Sequence, residues 1–228
     1  MKNFKKLICI TNDGSSTIFL PDFNEYYHSK YGAISESEHV FIKNGLYFWK
    51  KKNRNKKYCN IFEVGFGTGL NAFLTYKESK FILNTEFTYS SVEPYPLKFS
   101  EIKKLNYGKK LNDNDRIFNF IHNSKWNSAV QLSKKFTLIK NISTIQNFNI
   151  EINPDIIYFD PFCYRVQPEM WSKTIINQIV SSMSKYSVFV TFSSMNILFD
   201  SLKELKLNVE KIPGPNKKKK MIRAIKNY

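Results

Sequence analysis

The chain has 228 residues, of which 42% are hydrophobic and 16% aromatic, so it can bury a sizeable core and does not have the composition of a disordered chain. Its 35 Lys and Arg residues against 19 Asp and Glu residues give a net charge of +16. This excess indicates a polyanionic partner, with nucleic acid as the first candidate. The alternative is that lysine richness reflects the coding bias of an AT-rich genome.

Cysteine usage and hydropathy narrow the class of protein further. Cys9, Cys59 and Cys163 are far apart and form no C-x-x-C pair, so neither a disulfide framework nor a zinc site is supported. The apolar run at residues 7–10 is too short for a signal peptide, and no stretch approaches the roughly 18 apolar residues of a membrane span. The sequence therefore predicts a soluble, cytoplasmic protein with no metal and no membrane partner.

The N-terminal region predicts a hairpin followed by a helix. Residues 7–20 are two β-prone runs around an Asn-Asp-Gly turn signal. Ser35, followed three residues later by Glu38, is a capping-box pattern, so a helix is expected to begin near Glu36.

A basic linker divides the chain. Residues 50–57 contain many lysines and few apolar residues. We therefore predict an N-terminal appendage over residues 1–57 and the main domain over residues 58–228.

The main domain begins with a strand, a glycine-rich turn and a helix. The apolar run at residues 61–64 predicts a buried strand, and Gly65, Gly67 and Gly69 interrupt it before a helical pattern starts. Such a turn brings a ligand close to bare backbone, and the helix N-terminus offers free N–H groups. The alternative is a tight turn that binds nothing.

An acidic residue precedes the glycines. Three glycines at this spacing after Glu63 are typical of S-adenosylmethionine sites, and the carboxylate would meet the ammonium of the methionine moiety. Glu93 ends the next predicted strand, 24 residues after Gly69, where an acid commonly binds ribose hydroxyls; the alternative is an exposed surface glutamate. The predicted cofactor-binding residues are Glu63, Gly65, Phe66, Gly67, Thr68, Gly69, Leu70, Asn71 and Glu93.

A second buried strand, at residues 154–159, ends at Asp160. Ligands lie outside the carboxyl ends of strands in open α/β sheets, so Asp160 is the candidate catalytic residue. The alternatives are a helix cap or a cofactor contact.

Other predicted elements are a helix with Pro96 in its first turn, a short helix at 126–132, strands at 136–142, 187–192, 207–212 and 221–225, a helix opened by Pro168, and a helix capped by Ser193 or Ser194.

The alternation of strands and helices predicts an α/β fold with a mostly parallel sheet, helices on both faces and an antiparallel C-terminal edge hairpin. Several sequence blocks, taken in order, extend over most of the chain. They are Thr11-x-Asp13-Gly14-Ser15-x-Thr17, Tyr27-His28-Ser29, Gly32-Ala33, Glu36-Ser37-x-His39-Val40-Phe41-Ile42, Gly45-Leu46, residues 62–71, Phe159-Asp160-x-Phe162, Gln167-Pro168-Glu169-x-Trp171, Thr191-Phe192, and Pro213-Gly214 with the following lysines, Met221 and Arg223. Together, these blocks resemble the tRNA 5-methylaminomethyl-2-thiouridine methyltransferases.

The resemblance implies a class I Rossmann-like methyltransferase. It implies methyl transfer from S-adenosylmethionine to the amine of 5-aminomethyluridine at the tRNA wobble position, with the anticodon stem-loop as partner. It does not imply the flavin-dependent oxidase of the bifunctional form, so no FAD is expected. Other readings are methylation of a different amine and a non-catalytic RNA-binding module.

Two departures from the family pattern affect the site. Cys163 and Tyr164 stand where the family usually has small residues and a proline. The acid expected near the end of the third strand, beside adenine, is absent, and Asn141 or Ser143 would substitute by hydrogen bonding.

Aromatic and basic residues complete the expected substrate site. We expect Asp160 to orient the acceptor amine, and rings beside it to stack a flipped base, with core packing as the alternative. His28 is expected to be structural or to contact RNA, and the two lysine runs to contact phosphate unless they are simply solvated. The predicted substrate-binding residues are His28, Phe162, Tyr164, Trp171, Lys217, Lys218, Lys219 and Lys220, with residues 50–57 as the second lysine run.

Overall fold

The computed structural model describes residues 4–113, 115–215 and 218–228. Lys217, one of the predicted phosphate contacts, lies outside these residues. The strands are β1 (Leu7–Ile10), β2 (Ser16–Leu20), β3 (Glu25–Tyr26), β4 (Tyr58–Val64), β5 (Glu86–Val92), β6 (Ala129–Ser133), β7 (Phe136–Asn141), β8 (Ile156–Phe159), β9 (Ser187–Thr191), β10 (Asn208–Pro213) and β11 (Lys220–Lys226).

Helices connect most of these strands. The α-helices are α1 (Ala33–Ser37), α2 (Phe48–Lys52), α3 (Leu70–Ser79), α4 (Phe99–Ile102), α5 (Tyr107–Lys110), α6 (Arg116–Asn123), α7 (Lys173–Ser182) and α8 (Asn196–Glu204). A π-helical stretch, Glu38–Tyr47, joins α1 to α2, and single 3₁₀ turns lie at Pro21–Phe23, Ile145–Asn147 and Pro168–Trp171.

An eight-stranded sheet in the order β10-β11-β9-β8-β4-β5-β7-β6 forms the centre of the fold. The five middle strands are parallel, whereas β11, β10 and β6 pair antiparallel with their neighbours. The chain runs outward from β4 through β5 to β7 and then returns to β8 on the other side of β4. The strand order therefore reverses between β4 and β8, the place where open α/β sheets bind ligands.

The sheet is buried on both faces because its central strands alternate between two hydrophobic clusters. In β8, Ile156 and Tyr158 belong to one cluster, and Ile157 and Phe159 belong to the other. Helices α7 and α8 cover the second cluster, and α3, α6 and residues 33–52 cover the first. This is the two-faced burial expected for parallel strands, and the predicted fold class is confirmed.

The N-terminal region packs on the same sheet. Strands β1, β2 and β3 form a separate three-stranded antiparallel sheet, which confirms the predicted hairpin. Buried residues of this region, including Ile18, Val40 and Trp49, share one cluster with Ile61 of β4. The boundary after residue 57 stays a prediction.

One predicted helix is wrong. Residues 126–132 were expected to be helical, but residues 129–133 form β6, which pairs antiparallel with β7. The side chains of β6 alternate between exposed and half-buried, a period of two that suits an edge strand. At the opposite edge of the sheet, β10 and β11 form the predicted antiparallel hairpin, which is therefore confirmed.

Three predicted helix starts are also wrong. Helix α1 begins at Ala33, so Ser35 lies in its first turn, where its amide donates to Asp13 Oδ2 at 3.0 Å. Pro96 precedes α4 by three residues. Helix α8 begins at Asn196 without a side-chain cap, because the Ser193 hydroxyl accepts from the amide of Met195 instead.

Across the described residues, no helix combines the length and apolar character needed to cross a membrane.

Gly45 lies where the π-helical stretch crosses the sheet. A Cβ there would lie 2.9 Å from Cε1 of Tyr158 and 3.1 Å from Cγ2 of Val190, both fully buried. Alanine in place of glycine usually stabilises a helix by about 1 kcal/mol, but overpacking costs about 1–3 kcal/mol.

We expect Gly45→Ala to lower the free energy of unfolding by about 1–2 kcal/mol, because the buried ring of Tyr158 cannot move aside. Urea denaturation measures this. Lys43→Ala, an exposed change in the same stretch, is the control and should stay within about 0.5 kcal/mol of the wild type. A more stable Gly45→Ala protein would contradict the prediction.

Candidate active site

The glycine turn after β4 has a backbone that side chains rarely adopt. Gly65, Gly67 and Gly69 have φ values of 91°, 49° and 71°, and α3 begins directly after them. A Cβ on Gly65 would lie 2.8 Å from the backbone oxygen of Asp160. Glycine at position 65 therefore lets the carboxyl ends of β4 and β8 meet, and brings Asp160 beside the turn.

Asn71 joins two carboxyl groups from these adjacent strands. Its Nδ2 donates to Glu63 Oε1 at 3.0 Å and to Asp160 Oδ2 at 2.9 Å. Glu63 is fully buried, and its Oε2, like Asn71 Oδ1, has no hydrogen-bond partner among the described residues. The hydroxyls of Tyr89 and Ser91 favour the ionised form of Glu63, whereas Asn71 lines the cavity, so Asn71 is the residue of this pair that a ligand can reach.

The two carboxyl groups are both harder to ionise than usual. Burial raises the pKa of Glu63 to about 8, against the hydrogen bond from Asn71. Burial, and then the charges of Glu63 and Glu36, raise the pKa of Asp160 well above its usual value. A bound cation would stabilise the ionised forms.

Glu93 links the end of β5 to the glycine turn. Its Oε2 accepts from the amide of Gly67 at 2.9 Å, and its Oε1 accepts from the amide of Tyr95 at 2.8 Å. Each carboxylate oxygen has a second lone pair, so ligand hydroxyls can still bind. Burial raises the pKa of Glu93.

These groups open into a cavity of about 1170 Å³. One wall comes from the N-terminal region, and the others come from the loops that follow β4, β5, β7 and β8, with Phe192, Pro215 and Lys218 from the segments after β9 and β10. The predicted residues that line the cavity are His28, Gly65, Phe66, Gly67, Thr68, Leu70, Asn71, Glu93, Asp160, Phe162 and Lys218. Glu63 lies behind Asn71, and Gly69 is also outside the lining.

Acidic side chains outnumber basic ones in this cavity although the chain carries a net charge of +16, and one of them, Glu25, pairs with Arg165. The lining contains more carboxylates than amines. The carboxylates are Glu25, Glu36, Glu93, Asp160 and Glu169, and the amines are Lys6, Lys30 and Lys218. Within the described part of the chain, no group of three or more His, Cys, Asp or Glu residues is arranged to hold a metal ion.

Several predicted substrate contacts lie away from the cavity. Trp171 is 1% exposed, and its indole N–H donates to the backbone oxygen of Phe162 at 3.0 Å, which favours the core-packing alternative. Tyr164 is exposed but outside the lining. Lys219 and Lys220 are exposed on the loop and strand that follow Lys218.

The second lysine run lies at the opposite end of the sheet. Residues 50–57 precede β4, whereas the cavity follows it, so the seven residues of β4 separate them by about 20 Å. Lys50 donates to Thr85 Oγ1, and Lys56 pairs with Asp155, both at the amino ends of strands. This position does not favour a phosphate contact next to the cavity.

His28 connects the N-terminal sheet to the glycine turn. Its Nδ1 lies 3.4 Å from Thr17 Oγ1 and its Nε2 lies 3.3 Å from Thr68 Oγ1. Burial lowers the pKa of His28 to about 4, so the ring is neutral at pH 7. These contacts support a structural role for His28, which is one of the two roles expected from the sequence.

Residues that support the turn from behind were not predicted from the sequence. His122 Nε2 lies 3.0 Å from the backbone oxygen of Thr68. Lys140, fully buried, donates to the backbone oxygens of Ile121 and His122 at the end of α6. Burial lowers the pKa of Lys140 to about 8. The sequence around Lys140 predicts a strand, and nothing in it indicates that the amine of Lys140 contacts the end of α6.

Residues missed inside the cavity come mainly from the N-terminal wall. Glu36 lines the cavity, and the ring of Tyr27 packs edge-on against Phe162 at 4.9 Å. Both belong to blocks that carried the family resemblance, but no spacing linked them to the glycine turn.

The loop after β7 differs from the expectation. Asn141 donates to Ser90 and Ser91, and the Ser143 hydroxyl donates to the backbone oxygen of Thr144; neither lines the cavity. Gln146 does line it.

Comparison with known proteins agrees with this geometry. Residues 116–227 match the model of a family described as S-adenosyl-L-methionine-dependent methyltransferases. The tRNA 5-methylaminomethyl-2-thiouridine biosynthesis bifunctional protein MnmC of Leptospira interrogans is 30% identical over 213 residues, which are 88% of this chain and 32% of that protein. MnmC of Leptospira borgpetersenii is 31% identical over 214 residues, with the same shares.

Over most of its length, the chain is similar to the MnmC proteins. It spans about a third of the length of these curated relatives, and the family resemblance is confirmed.

The fold agrees as well. The crystal structure of MNMC2 from Aquifex aeolicus superposes with a TM-score of 0.76 at 22% identity, over 98% of this chain and 71% of that one. A Listeria monocytogenes protein assigned to the class I S-adenosylmethionine-dependent methyltransferases gives a TM-score of 0.51 at 14% identity, over 86% of this chain and 61% of that one. The chain therefore has the class I methyltransferase fold.

Asn71→Leu tests the carboxyl bridge. The change removes the donor shared by Glu63 and Asp160, and we expect a loss of about 2–3 kcal/mol of unfolding free energy at pH 8. The hydrogen bond favours the charged carboxylates, so its loss raises both pKa values further. A raised pKa in the folded state makes stability fall as pH rises, so the loss should be smaller at pH 5.

Urea denaturation at both pH values measures this loss. Asn60→Leu in β4 is the control, since its amide makes one long contact of 3.5 Å to the Asn153 backbone oxygen. An equal loss for Asn71→Leu at pH 5 and pH 8 would show that the bridge does not act through the two carboxyl groups.

Proposed function

We propose that the chain transfers a methyl group from S-adenosylmethionine to the amine of 5-aminomethyl-(2-thio)uridine at the wobble position of tRNA, giving 5-methylaminomethyl-(2-thio)uridine. The observation that carries the proposal is an acid-lined cavity at the topological switch point of a strongly basic chain. A sulfonium cofactor and an amine acceptor suit the cavity, and tRNA suits the basic exterior. Similarity to the MnmC proteins supports this choice of acceptor.

The residues present fit S-adenosylmethionine. The glycine turn offers bare backbone, Asn71 lines the cavity with an Oδ1 that lacks a partner among the described residues, and Glu93 retains lone pairs for ribose hydroxyls. The bound cofactor supplies a methyl group already activated on a sulfonium centre. The chain contributes by binding and aligning, which supplies about 7–11 kcal/mol in favourable cases.

Asp160 would orient the acceptor amine. The residue lines the cavity, its Oδ2 accepts from Asn71, and no described residue donates to its Oδ1. Because the pKa of Asp160 is held well above its usual value, its carboxylate is a stronger base than a solvated aspartate. It can therefore accept the proton that the amine loses after methylation, while burial of the amine favours the neutral nucleophile.

Aromatic rings would hold the base. Wobble uridines lie in a single-stranded loop, where proteins commonly stack bases on aromatic side chains. Phe162 and Tyr27 are the rings that meet edge-on in the cavity. Phe162 is positioned by the Trp171 indole, which donates to its backbone oxygen, so Trp171 contributes indirectly.

Asp160→Ala tests the chemistry. We expect the purified variant to bind S-adenosylmethionine but to lose about 10²–10⁴-fold in kcat, measured by mass spectrometry of nucleosides from tRNA that carries 5-aminomethyl groups. Asp200→Ala, at an exposed position of α8, is the control.

Three results would count against the proposal. Near-normal kcat in a folded Asp160→Ala enzyme would remove the role of Asp160. A strain that lacks the gene should accumulate 5-aminomethyl nucleosides, and an unchanged nucleoside profile would overturn the function. Wild-type protein that binds tRNA without the cofactor and methylates nothing would indicate an RNA-binding module.

The position of the lysines gives a separate test. Replacing Lys219 and Lys220 with alanine should reduce the slope of log K against log salt for tRNA binding by about 1.5, because each lost phosphate contact changes it by about 0.7–0.9. Lys51 and Lys57, exposed at the far end of the sheet, are the matched control pair. A larger effect from the control pair would place the tRNA on the opposite side.

A further inference from the structure

Glu36 reaches the cavity from the N-terminal wall. It lies in α1, and its Oε1 accepts from the backbone amide of Ser29 at 3.0 Å. Within the residues described, this amide is the one hydrogen-bond donor to the carboxylate, so Oε2 is free to meet a ligand. Burial raises the pKa of Glu36, and the Ser29 amide and the charge of Lys218, which also lines the cavity, oppose this rise.

Asp160 has the same arrangement at the end of β8. Asn71 holds its Oδ2, and across the described part of the chain no donor reaches Oδ1. Glu36 and Asp160 therefore each present one fixed and one free oxygen to a single cavity, from different elements. Both groups line the same cavity, and burial, then the charges of Glu63 and Glu36, raise the pKa of Asp160.

We propose that Glu36 and Asp160 together hold the two N–H groups of a primary amine, and that this pairing limits the enzyme to a single methyl transfer. The inference rests on the proposed function and extends it to the number of methyl groups added. Glu36 is the new binding residue, and it selects for a primary amine.

The number of N–H groups on the amine explains why only one methyl group is transferred. A neutral primary amine has two N–H groups and one lone pair. When both N–H groups donate to the two carboxylates, the lone pair is left to attack the methyl carbon. The new N–C bond forms as the C–S bond breaks with its electron pair going to sulfur, and the resulting ammonium gives one proton to a carboxylate oxygen and then to water.

The product is a poor second substrate. A secondary amine has a single N–H group. When its lone pair points at an incoming methyl group, that N–H can donate to only one carboxylate. The other carboxylate, of Glu36 or Asp160, then faces the methyl group already bound to nitrogen. An unpaired buried carboxylate is strongly unfavourable. A site that requires two donors therefore rejects the amine that has only one, as sites built around buried hydrogen bonds do.

Glu36→Gln is the main test. The glutamine keeps an oxygen for the Ser29 amide, but its NH₂ group donates instead of accepting. We expect kcat/KM on 5-aminomethyl tRNA to fall about 10²-fold, and the ratio of dimethylated to monomethylated nucleoside, read by mass spectrometry, to rise above that of the wild type. S-adenosylmethionine affinity, measured by calorimetry, should stay within about threefold, because the proposal assigns Glu36 to the acceptor alone.

Glu38→Gln, two residues along and exposed, is the matched control and should leave rate and product ratio unchanged. A Glu36→Gln enzyme with wild-type rate and a single product would overturn the role of Glu36, while the methyltransferase assignment would survive.

A measurement on the wild type needs no variant. Its rate on tRNA that already carries the monomethylated amine should be at least about 10²-fold below its rate on the primary amine. Equal rates would overturn the two-donor requirement even if Glu36→Gln does not fold. Failure to methylate either tRNA would refute the proposed function itself.

Discussion

The site depends on the side-chain amide of Asn71, which donates hydrogen bonds to two carboxyl groups. Glu63 lies one residue before the end of β4 and Asp160 directly follows β8, its parallel neighbour, so the sheet itself brings them together. Two buried carboxylates at this distance resist ionisation, and Asn71, with two N–H groups, donates to both at once. Gly65 makes the approach possible, since any Cβ would strike the backbone of Asp160. The glycine turn and the candidate catalytic carboxylate of Asp160 are therefore positioned by the same contacts.

Residues at the ends of parallel strands were predictable from the sequence. Glu63, Glu93 and Asp160 each follow or end an apolar run, and the carboxyl ends of parallel strands meet at one edge of the sheet. Periodicity therefore assigned their positions without any long-range information. The edge strand β6 was missed because its short, weakly buried pattern resembles a helix as much as a strand.

Residues on the N-terminal wall were not predictable in this way. Glu36 and Tyr27 precede the glycine turn and reach the cavity only because residues 33–52 pack across the sheet. No local pattern encodes that packing. Likewise, an aromatic residue type does not reveal which way its ring faces: Phe162 lines the cavity, whereas Trp171 fills the core behind it.

The opposite signs of the cavity and the exterior are physically compatible. Exposed lysines are screened by salt over about 8 Å at physiological ionic strength, so most of the +16 charge does not reach the buried carboxylates. Inside the cavity, Glu36 and Asp160 act at short range in a poorly solvated space, where charge interactions are several times stronger than in water. A basic chain can therefore attract a polyanion to its surface and still keep acidic hydrogen-bond acceptors in its interior, as the proposed amine acceptor on RNA would need.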